Sequence, residues 1–62
     1  MDKKDIINKL NKMMDEVEEL QLKLCAMLIK DNENQELIFA DNTLENVFNN
    51  LVDTEYHLKK SL

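Results

Sequence analysis

Residues 6–27 read IINKLNKMMDEVEELQLKLCAM. Apolar side chains fall at Ile6, Leu10, Met13, Val17, Leu20, Leu24 and Met27, in steps that alternate four and three without exception. That is the a/d spacing of a heptad, and it predicts one apolar seam down one side of a helix. Ile7, Met14 and Leu28 add a row beside the seam at e, with Gln21 interrupting it. A seam of this kind has to be covered by another helix.

The rest of the chain supplies that cover. Asp2 is placed to cap a first helix running from about residue 3 to 30, and Lys30 suits its carbonyl end. Asp31-Asn32-Glu33-Asn34 then has no apolar residue and several turn formers. Asn tolerates the left-handed conformation that ends helices where glycine is lacking. Beyond it Leu37, Ala40, Leu44, Val47, Leu51, Thr54 and Leu58 step three and four again. Their a positions are one residue out of phase with those of the first helix. A slipped register across four polar residues predicts a hairpin rather than one long helix.

The second helix is placed at about 35–60, with a turn at 31–34. A later start is the alternative, with Asn42 and Glu45 as a capping pair and Leu37 to Ala40 as an extended apolar plug. The longer helix keeps the heptad and needs only a short connection. The expected fold is therefore all-α: one domain, an antiparallel helical hairpin of two long helices.

Sixty-two residues make a marginal core without disulfides, metal or self-association. The single Cys25 excludes an internal disulfide, yet 44% of residues are hydrophobic, too many for a disordered tail. Self-association into a four-helix bundle, as a homodimer or higher oligomer, is the expected remedy.

Composition also excludes function classes. There is no glycine, so no glycine-rich phosphate cradle. The net charge is −5 and every basic residue is lysine, which disfavours nucleic acid as a partner. No apolar run reaches membrane-spanning length, and the start lacks the continuous apolar core of a signal peptide; a cytoplasmic location is expected.

Residues that might carry chemistry read as structural. His57 and Asp53 share a helix face, but two ligands do not make a metal site. Glu55 falls at e beside Phe48 and Leu62, and is expected at the rim of the core, paired with Lys59 one turn on. Cys25 reads as a small buried hydrophobe. Asp15, Glu16, Glu18 and Glu19 read as a solvated outer face. No catalytic set and no cofactor motif is present, so neither an enzyme nor a cofactor is predicted.

The expected function is a small non-catalytic protein-interaction module, an adaptor, inhibitor or antitoxin-like regulator whose partners are itself and another protein. The richest apolar stretch lies near the turn. Leu22, Cys25, Leu28, Ile29, Ile38 and Phe39 are the expected interface residues, because one hairpin cannot cover all of them. In layout alone, the hairpin resembles the Rop family of plasmid RNA-binding proteins, helical hairpins of similar length that dimerise. That resemblance implies the alternative function, an RNA-binding four-helix bundle.

Overall fold

A computed structural model describes residues 1–61; Leu62, read above at an e position, lies outside the described residues. Two helices make up the fold, α1 over Lys3–Lys30 and α2 over Gln35–Lys60. They pack antiparallel as a hairpin 45 Å long. The chain is an all-α helical hairpin.

Local chemistry sets the boundaries. Asp2 and Asp5 form a reciprocal capping box: the Asp5 amide donates to Asp2 Oδ1 at 2.9 Å, and the Asp2 amide donates to Asp5 Oδ2 at 3.4 Å. Two orphan donors of the first turn are thereby satisfied. At the other end the Asp31 amide donates to the Met27 carbonyl, closing α1. Asn34 opens α2: its side chain accepts from the Leu37 amide at 3.2 Å, while its Nδ2 donates to Asp31 Oδ2 at 2.9 Å. One side chain caps the second helix and ties it back to the end of the first.

No described residue has positive φ. The expected left-handed Asn is therefore not how α1 ends. Asp31, at φ −141° and ψ 65°, makes the exit instead. The segment 36–42 is helical throughout, so the extended apolar plug does not occur. Thr43 Oγ1 donates to the Phe39 carbonyl within that helix at 2.8 Å, so its hydroxyl is satisfied without the helix opening at Asp41-Asn42-Thr43.

The register is anchored at both ends. The turn joins Lys30 to Gln35, and at the open end Lys3 Nζ donates to the Ser61 carbonyl at 2.9 Å. Counting inward from these anchors, Ile7 stands level with Leu58, Leu10 with Glu55, Met14 with Leu51 and Val17 with Phe48. Gln21 stands level with Leu44, Leu24 with Asp41 and Leu28 with Leu37. All of these residues are buried or half-buried, and every pair sets an a position on one helix against an e position on the other.

The hairpin therefore closes on its a and e rows, whereas the heptad reading placed the seam on a and d. Ile7, Leu10 and Met14 are the buried core, all in the half of α1 nearest the open end. Phe48 accounts for the choice. It is the largest apolar side chain on the stripe of α2, and only an e-inward packing brings it under cover.

Candidate interaction surface

The d rows are left outside. In α1 they are Ile6, Met13, Leu20 and Met27, with exposure rising from 36% at Ile6 to 52% at Met27. In α2 they are Ala40, Val47, Thr54 and Ser61, all exposed. At 100° per residue a d position lies about 80° from the middle of the a/e face. Because the helices are antiparallel, both d rows turn to the same side of the hairpin. One broad face thus carries eight positions and no charge.

The two hydroxyls on that face are already used. Thr54 Oγ1 donates to the Asn50 carbonyl at 2.8 Å, and Ser61 Oγ to the Leu58 carbonyl at 3.0 Å. Thr54 thus has no unmet donor to present, and the face behaves as an apolar one. A shallow groove lined by Met1, Ile6, Leu10 and Met13 lies along it, with Lys9 of the flanking g row at its edge.

The opposite side is mixed. Its b rows carry Lys4, Glu18, Glu45 and Lys59 among Asn11, Cys25, Ile38 and Val52. At the turn end, though, Leu22 and Ile29 stand 73% and 82% exposed at f positions, well away from α2. Cys25 is exposed beside them, which corrects its reading as a buried hydrophobe. Of the six residues named from sequence as an interface, Leu28 and Ile38 are half-buried, and Leu22, Cys25, Ile29 and Phe39 are exposed. Leu22 and Cys25 share a second shallow groove with Glu18 and Gln21. Phe39, at c, lies on the outer side of α2 and does not join that groove.

Glu55 is at e, and e is inside. Its side chain is 17% exposed; Oε1 pairs with Lys59 Nζ at 2.9 Å, and Oε2 is buried with no hydrogen-bond partner. The pairing with Lys59 is as read from the sequence, but the position is deeper than the rim. Asp41 and Gln21 are the residues that sequence reading missed, both half-buried on the inner seam. Their signal was present: each occupies e on its helix.

Among the described residues, no group of three His, Cys, Asp or Glu side chains is placed to hold a metal ion. The His57 ring sits edge-on to Tyr56, with centroids 5.5 Å apart, and Lys60 Nζ lies 5.5 Å from the Tyr56 ring centre. That arrangement packs three long side chains over the last turn of α2. Among the described residues, no helix is long and apolar enough to cross a membrane. No protein-family model matches the chain, and no curated protein or solved structure does either.

Proposed function

We propose that this protein is a small non-catalytic interaction module, an adaptor, inhibitor or antitoxin-like regulator that works as an oligomer of helical hairpins and binds another protein. One observation carries the reading: among the described residues eleven large apolar side chains are exposed, whereas three are buried. Leu20, Leu22, Met27, Ile29 and Phe39 are among those left exposed. Soluble proteins seldom leave contiguous apolar surface of this extent uncovered. The absence of a catalytic motif from the sequence leaves binding as the use of that surface.

Two exposed surfaces divide the work. The uncharged d face runs the length of the hairpin and suits a second copy. The turn-end patch around Leu22 and Ile29 is local and flanked by Glu18, and it suits a different protein with an apolar anchor and basic neighbours. Affinity capture with the full chain and with a Leu22→Glu, Ile29→Glu variant, both in the source cells, tests this. A protein retained by the first and lost by the second, with helical content unchanged, is the expected result. Equal recovery by both, or a steep salt-dependent shift of labelled RNA, would replace the reading with another surface or with nucleic-acid binding.

A further inference from the structure

The d face has a built-in asymmetry that says how its cover is oriented. On α1 the row is large throughout, Ile6, Met13, Leu20 and Met27; on α2 it is small, Ala40, Val47, Thr54 and Ser61. Facing surfaces pack best where large side chains meet small ones. Charge is divided in the same sense. Within α1 six lysines stand against five acids, and within α2 two lysines stand against five acids, so the helices carry +1 and −3. Opposite potentials attract, and like potentials across an interface are penalised.

We propose that the d face is covered by a second copy of this chain, laid with its turn at the same end, so that α1 of each protomer packs on α2 of its partner. This rests on the oligomeric part of the proposed function and adds its face and its geometry. In this arrangement Leu20 lies over Val47 of the partner and Met27 over Ala40 of the partner. At the flanking g positions Lys30 meets Glu36 of the partner, and no like-charged pair is formed. Turning the second copy end for end packs α1 on α1 and α2 on α2. Met13 then meets Leu20 of the partner, Lys9 meets Lys23, and Glu16 meets its own copy, while the two small rows of α2 leave a gap.

The area fits one further copy. The hairpin exposes 4972 Å², against about 4,200 Å² for a compact monomer of its mass. A face 45 Å long and 15 Å wide offers on the order of 700 Å², near the ~800 Å² per partner of a standard stable interface.

Distance between the two turns decides the matter. Glu33 is exposed in the turn, outside both helices, so a Glu33→Cys substitution in a Cys25→Ser background carries a spin label there. Sedimentation gives the oligomeric state of the labelled full chain, and pulsed dipolar spectroscopy gives the separation of its labels. A dimer with labels closer than about 25 Å, two interhelix spacings plus the label arms, is the expected result. A dimer with labels separated by about the 45 Å hairpin length would overturn the proposed orientation and leave self-association standing. A folded monomer at micromolar concentration would overturn both. A Leu20→Glu variant checks the face separately: it should dissociate the dimer, whereas Leu22→Glu should leave it intact, and the reverse pattern would move the interface to the turn-end patch.

Discussion

Replacing Glu55 by leucine should stabilise the hairpin. The carboxylate sits on the inner seam, level with Leu10, with Oε2 buried and unpartnered. An unsatisfied polar atom in such a place costs roughly 1–3 kcal/mol on the scale of protein mutational data. What opposes this is the Lys59 pair at 2.9 Å, an i,i+4 contact whose lysine is 56% exposed. Pairs of that kind contribute about 0.3–0.5 kcal/mol. The orphan oxygen therefore outweighs the ion pair, and leucine adds apolar burial of its own. A net gain of about 1–2 kcal/mol follows, which for a domain of this size raises Tm by roughly 4–16 °C. Circular dichroism melts at one fixed protein concentration read it directly. Lys59→Ala serves as the control and should lower Tm only slightly. A Glu55→Leu protein that melts at or below the parent temperature would refute the reasoning, because it would mean that the carboxylate is satisfied in solution.

Three further outcomes follow from the same structure. Met14→Ala removes one of the three buried side chains and should cost about 2–5 kcal/mol, enough to unfold most of the chain at 37 °C by circular dichroism. Asn34→Ala should cost about 1 kcal/mol in chemical denaturation, whereas Asn34→Ser should be nearly neutral, since serine also caps the Leu37 amide. Thermal midpoints should rise with protein concentration across a hundredfold range, because association is linked to folding; a concentration-independent Tm would show that the hairpin is stable alone.

The fold was legible because periodicity and capping pointed the same way. Seven apolar residues in alternating steps called for a long helix, the one-residue slip at residues 31–34 called for a turn, and Asp2 stood where a cap belongs. What was not legible was which rows of the stripe face inward. A heptad fixes the width of an apolar stripe, not its middle, and rows a, d and e together span more than one neighbour requires. Charge was a misleading guide here. Glu55 argued for leaving e at the rim, but Phe48 shares that row, and covering its ring draws Glu55 and Asp41 inward with it. The same ambiguity limited the candidate interface. Leu22 and Ile29 were recognisable as surplus because no heptad seam reaches them. Ile6, Met13, Leu20 and Met27 were assigned to the interior of the hairpin, so the surface they form was visible only once the helices were placed.

The clasp between Lys3 and the Ser61 carbonyl, 2.9 Å long, has a consequence for how the hairpin can be built into other chains. Its points of entry and exit are side by side, a single interhelix spacing apart, with the whole element projecting away from them. Grafted into a surface loop of a host domain, it would ask the host to open by only about 10 Å, a small loop-closure cost. The turn, free of any residue at positive φ, places no glycine-like demand on what is inserted there. The hairpin is thus suited to serve as a detachable stalk: cargo fused at its base and a recognition sequence spliced into its tip would be held at opposite ends of a 45 Å rod.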